Sequence, residues 1–142
     1  MLRASGRRGE ITLAAEDGRI VSVLNGGLFA FTVGERAYQI ARKGLFSPTY
    51  ELRREDSLLA SAAQAAFVNR YAVECAGKAW TLKAAGLAAR KFALLDGKIA
   101  VGAIAPTSLN PYRETIVDLP EAIPVEAQIF LTWIVARHWD QD

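Results

Sequence analysis

The side chains best suited to bond chemistry are few and scattered. The chain has one histidine, His138, and one cysteine, Cys75. A nucleophilic Ser or Cys needs a base within hydrogen-bond reach, and no G-x-S-x-G turn is present to hold one. Cys75 falls on the apolar rhythm of "YAVEC", where a thiol behaves as a small hydrophobe. His138 ends the last apolar run, where it would compensate a helix dipole or meet solvent. One His and one Cys do not complete a zinc ligand set. The acidic pairs Glu16-Asp17 and Glu55-Asp56 fall on turn signals, where such residues serve backbone geometry. There is neither a P-loop nor a G-x-G-x-x-G, and Gly26-Gly27 reads as a turn. No catalytic residue, metal site or cofactor is expected.

Binding chemistry is what remains. Arg42-Lys43, Arg53-Arg54, Lys83, Arg90-Lys91 and Lys98 lie on or beside apolar stretches and could recognise phosphate or carboxylate. The overall balance is nearly even, with 17 Lys and Arg against 15 Asp and Glu and a net charge of +2. That leaves too little surplus for duplex nucleic acid, so no nucleic-acid partner is expected. The longest irregular stretch, "APTSLNPYRE" with Pro106 and Pro111, is the best place for variable function.

The elements that must position these groups follow from size and pattern. At 142 residues, 51% hydrophobic and 23% charged, the chain can close one core without staples. The start "MLRASGRRGEITL" carries Arg3, Arg7 and Arg8 with no apolar run behind them, so it is not a secretory signal. Residues 1–8 read as a flexible basic arm and 9–142 as a single domain. The lone cysteine suits a reducing compartment, and a cytoplasmic protein is expected.

Asp17-Gly18 and Asp96-Gly97 each sit between apolar runs. That is a hairpin signal, and a type I′ turn there would need positive φ at both central residues. Strands are read at 11–15, 19–24, 28–33, 36–41, 49–54, 58–64, 66–76, 79–85, 88–95, 98–104 and 114–119. Alternation is plain in "RAYQIA", "RYAVECA" and "AWTLKA". The alanine-rich "SLLASAAQAAF" suits a helix better by propensity, but an internal similarity favours a strand. "AYQIARKGLFSPTYEL" from Ala37 aligns with "AWTLKAAGLAARKFAL" from Ala79, Gly44 on Gly86 and Leu45 on Leu87, as in a duplicated meander. Carried on with one extra residue, "SLLASA" falls opposite "KIAVGA".

One segment reads as a helix, at about 124–138. Pro124 opens it, Glu126 sits near its positive end, and Arg137 and His138 lie at its negative end. Its apolar residues go all round the cylinder, leaving only Gln128 and Thr132 as a narrow polar strip, so it must be buried. At about 1.5 Å per residue it spans roughly 22 Å, short of the roughly 30 Å of a hydrocarbon core. No transmembrane segment is expected. A mainly β fold follows: a closed antiparallel barrel of about 11–12 strands around a buried C-terminal helix, since closure also removes edge strands.

The repeated hairpins, an aromatic near the start of many strands, the late hairpin "FALLDGKIAVGAI" and the closing "IFLTWIVARHW" together resemble the tubby C-terminal-like superfamily. This group includes tubby proteins, phospholipid scramblases, LURP-one-related proteins and short bacterial members. The resemblance runs from about Gly9 to Trp139. It implies a barrel around a central helix and, as in tubby proteins, phosphoinositide headgroups held by basic side chains on the barrel surface. The residues available for that are Arg42, Lys43, Arg53, Arg54, Arg90 and Lys91. A scramblase's calcium-binding segment and acylated cysteine cluster have no counterpart. The expected function is a non-enzymatic binding module, peripheral on anionic membrane lipid. The alternatives are a structural or protein-interaction domain and, less favoured, a small enzyme with an unrecognised site.

Overall fold

The computed structural model describes residues 1–66, 68–85 and 90–141. Among them the chain forms twelve strands and one helix. The strands are β1 (Leu2–Arg7), β2 (Glu10–Ala15), β3 (Ile20–Asn25), β4 (Ala30–Val33), β5 (Arg36–Lys43), β6 (Thr49–Arg54), β7 (Ser57–Gln64), β8 (Arg70–Cys75), β9 (Lys78–Ala85), β10 (Lys91–Asp96), β11 (Ile99–Pro106) and β12 (Thr115–Asp118), and the helix is α1 (Val125–Asp140). Every ladder is antiparallel, in the order β3-β2-β1-β12-β11-β10-β9-β8-β7-β6-β5-β4. The sheet curls into a nearly closed barrel, with a seam where β3 faces β4. There the Ser22 hydroxyl donates to the Thr32 carbonyl at 2.7 Å, and the Leu28 carbonyl accepts instead from the Trp133 indole at 3.1 Å.

Alternation decides which side chains fill the lumen. Tyr38, Ile40, Leu52, Ala60, Ala62, Val73, Leu82, Phe92, Leu94 and Ile104 are buried on the inner face, against a helix whose Ile129, Phe130, Leu131, Trp133, Ile134 and Val135 are buried too. An apolar lumen packed around a helix is the reverse of the polar interior of a barrel that spans a bilayer with its strands. The polar strip on the helix satisfies itself: Thr132 Oγ1 donates to the Gln128 carbonyl at 2.9 Å, and Gln128 Nε2 to the Ile123 carbonyl at 2.9 Å. No helix among the described residues is long and apolar enough to cross a membrane.

The N-terminal arm is the clearest correction. Residues 2–7 form β1, laced between β2 and β12 with Leu2 opposite Val117. Leu2 and Ala4 are buried, so Arg3 alternates with lumen-facing apolar residues and Arg7 ends the same strand. The alanine-rich segment is strand β7, its Ala60 and Ala62 facing the lumen where small side chains leave room for the helix. The strand read at 66–76 shortens to β8. Phe67, residues 88 and 89, and the aligned Gly86 and Leu87 lie outside the described residues. The helix runs two residues past its expected end, to Asp140.

The turns also differ in type. Only Gly18 and Gly97 of the two Asp-Gly steps take positive φ, at 86° and 63°; both central residues do so in Ala76-Gly77, at 52° and 71°. At the first step Gly18 N–H donates to the Ala15 carbonyl at 2.9 Å and Ala15 N–H to the Arg19 carbonyl at 2.8 Å. That is a type I turn completed by a left-handed glycine. The strands β9, β10 and β11 begin 42 residues after β5, β6 and β7, with no extra residue needed. Their ladders shift register at matching points, between Leu52 and Arg53 and between Leu94 and Leu95. Just beyond the second shift, a Cβ on Gly102 would lie 2.6 Å from the Asp118 carbonyl oxygen and 3.2 Å from the Leu119 Cα. Gly102→Ala is expected to cost about 1–3 kcal/mol, read as a lowered urea midpoint.

Candidate functional site

Chain direction gives the barrel two unlike ends. One carries the connections 16–19, 34–35, 55–56, 76–77, 97–98 and 119–124, four of them two residues long, together with the start of the helix. The other carries the long connections 26–29, 44–48, 65–69 and 107–114 together with the helix C-terminus. Arg8, Arg42, Lys43, Arg70, Arg90, Lys91, Arg113 and Arg137 all fall at this loop end, with Glu10, Glu114 and Asp140 among them. The turn end holds Glu16, Asp17, Glu35, Glu55, Asp56, Asp96, Asp118, Glu121 and Glu126 against Arg19, Arg36, Arg54, Lys78 and Lys98.

A polar cleft of about 210 Å³ opens at the loop end, lined by Arg42, Tyr50, Gln64, Asn69, Tyr71, Arg137, His138 and Gln141, with Phe46 and Pro48 at its rim. Strand parity puts Arg42 there. It continues the lumen face of Tyr38 and Ile40 past the last apolar layer, as Gln64 continues that of Ala60 and Ala62. The helix supplies Arg137, whose guanidinium carbon lies 4.9 Å from the Phe29 ring centroid and 4.8 Å from that of Trp133. Its Nε is buried and has no hydrogen-bond partner among the described residues. Tyr71 Oη and His138 Nε2 are hydrogen-bonded at 2.8 Å, and the His138 ring packs 5.1 Å from that of Phe92. His138 is thus half-buried rather than a solvent residue. Burial pushes the Tyr71 hydroxyl well above its ordinary value, so it remains neutral and can donate. Two guanidinium groups beside neutral donors favour an anion.

A second cleft of about 280 Å³ lies on the same end between Arg8, Arg90, Leu109, Asn110, Pro111, Tyr112 and Trp139. Trp139 Nε1 donates to the Arg90 carbonyl at 2.9 Å, Arg90 Nη1 to the Leu109 carbonyl, and the Tyr112 hydroxyl to Asp140 Oδ1. Burial, then the Asp140 contact, raises the Tyr112 hydroxyl to about 12. Cys75 is buried at the turn end, and burial raises its thiol. No group of three His, Cys, Asp or Glu able to hold a metal occurs among the described residues.

The six basic residues read from the sequence do not share one surface. Arg42 lines the first cleft, Arg90 the second, and Lys91 opens β10 as an exposed residue. Lys43 points outward, 3.1 Å from Glu51 Oε1. Arg53 binds the same oxygen through Nη2 at 3.0 Å and Nε at 3.2 Å. Arg54 stands at the turn end, opposite Ser57. Arg53 and Lys43 therefore meet on Glu51, while Arg54 stands apart at the far end.

Arg53 first and Lys43 second hold the Glu51 carboxyl below its ordinary value of 4.5. A lowered folded value means these ion pairs add stability above the unfolded value and lose it as pH falls through the folded one. Glu51→Gln is expected to flatten the loss of urea resistance on acidification. The effect should be about 1 kcal/mol or less, because both cations are partly solvated.

No protein-family model matches this chain, nor does any curated protein or solved structure.

Proposed function

We propose that the protein is a non-enzymatic binding domain that recognises anionic phospholipid headgroups peripherally, at a cytoplasmic membrane face. The observation that carries this reading is the separation of charge along the barrel axis: the cations of the loop end surround two clefts, while the turn end is rich in carboxylates. An anionic leaflet attracts basic residues by about 1 kcal/mol each, within roughly a Debye length. A domain polarised in this way presents its loop end to such a surface. The resemblance to the tubby-like group supports the same reading, and the matched 42-residue spacing of β5–β7 and β9–β11 supports a duplicated meander.

Co-sedimentation tests the proposal. The protein is expected to pellet with phosphatidylcholine vesicles containing phosphatidylserine, to remain in solution with phosphatidylcholine alone, and to be released as salt rises. Absence of salt-sensitive pelleting would leave a protein-interaction domain as the better reading.

A further inference from the structure

We infer that the domain docks end-on, with the tips of two loops inserted among the lipid headgroups. This rests on the lipid reading above and adds to it an orientation and an apolar component.

The loop between β5 and β6 presents Leu45 and Phe46, each 86% exposed, and the loop between β11 and β12 presents Leu109, 88% exposed. These are the most exposed large hydrophobic side chains among the described residues. Neither tip is a slack chain. Gly44 turns the first with φ 90°, and the Gln64 N–H donates to the Pro48 carbonyl at 3.0 Å, tying it to β7. In the second, the Tyr112 N–H donates to Asn110 Oδ1 at 3.0 Å and Arg90 Nη1 donates to the Leu109 carbonyl. Loops braced in this way hold apolar side chains out in water without losing much entropy on docking.

Their surroundings select the partner. Arg42 and Lys91 are exposed on the strands that rise to this end, and Arg113 on the second loop itself. Apolar tips above a cationic collar match the layering of an anionic bilayer, phosphates over hydrocarbon. Two isoleucines are also well exposed, Ile20 at 64% and Ile99 at 70%, but they begin strands just after Arg19 and Lys98 at the turn end, where carboxylates outnumber cations. That end would be repelled. Charge thus picks the loop end, and exposure picks Leu45, Phe46 and Leu109 within it.

The test uses the full chain and vesicles of phosphatidylcholine with phosphatidylserine. The native tryptophans Trp80, Trp133 and Trp139 are 6%, 2% and 2% exposed, so the indole introduced by Phe46→Trp is the one that acyl chains could reach. Its emission is expected to move to the blue on vesicle binding and to be quenched by lipids brominated on the chain. The double variant Phe46→Ser/Leu109→Ser should bind at least about tenfold more weakly, as expected for removing two large apolar contacts. Its urea midpoint and salt dependence should stay unchanged. An unquenched indole together with unchanged affinity of the double variant would overturn the inference, leaving purely electrostatic adsorption. A wild-type chain that binds no anionic vesicle would overturn the lipid reading itself.

Discussion

Trp133→Asp is expected to abolish cooperative unfolding of the whole domain, seen as loss of the sigmoidal urea transition and of near-ultraviolet dichroism. Trp133 is 2% exposed, stacks edge-on with Phe29 at 5.0 Å and with Tyr50 at 5.3 Å, and donates its indole N–H to the Leu28 carbonyl beside the seam. Removing a buried Trp side chain costs about 3–5 kcal/mol. Burying a carboxylate there adds a desolvation cost that the nearby Arg137 guanidinium offsets only in part. Together these approach the roughly 5–15 kcal/mol that keeps a domain folded. Trp133→Phe, by contrast, should keep the fold and lose about 1–3 kcal/mol through the unpaired carbonyl. A cooperatively folded Asp variant would show that the helix is not what the strands fold around.

Reversing three charges at the loop end, Arg42→Glu/Lys91→Glu/Arg113→Glu, is expected to weaken binding to anionic vesicles more than about 100-fold, since each basic residue near the surface contributes about 1 kcal/mol. All three side chains are exposed, which limits the damage to stability. The matched control is Arg36→Glu/Arg54→Glu/Lys98→Glu, also exposed but at the turn end. It changes net charge by the same amount and should leave binding within about twofold, because that end lies beyond a Debye length of the membrane. Equal losses in both variants would mean that net charge, not its placement, drives adsorption.

The strands and helix were legible wherever burial imposed a period. Tyr38-Ile40 and Tyr71-Val73-Cys75 alternate because one face meets the lumen, and the last helix is apolar all round because the lumen surrounds it. β1 escaped because Arg3, Arg7 and Arg8 outweigh two small cues, Leu2 and Ala4, that matter only once β12 lies alongside. The clefts were half visible. Arg42 stands out as a cation, and its parity with Tyr38 and Ile40 could have placed it at the mouth of the lumen. Arg137 and His138 read as dipole compensation, a role any helix end invites. That they meet Arg42, Gln64 and Tyr71 depends on register and on helix depth, and neither leaves a local trace in the sequence.

The position of the helix also sets the order in which this molecule can assemble. Its core comes after all twelve strands in chain order: α1 occupies Val125–Asp140, and β1, the first of those strands, finds its second neighbour only when Thr115–Val117 arrives. Eleven strands, in the two hairpin-linked runs β1–β3 and β4–β11, therefore precede the twelfth strand and the helix on which they close. Local hairpins can form early, but the lumen-facing alanines, leucines and aromatics stay uncovered until the end. The lumen can be filled only once the sixteen residues of α1 are in place, and a chain without that helix would be a sheet with no interior.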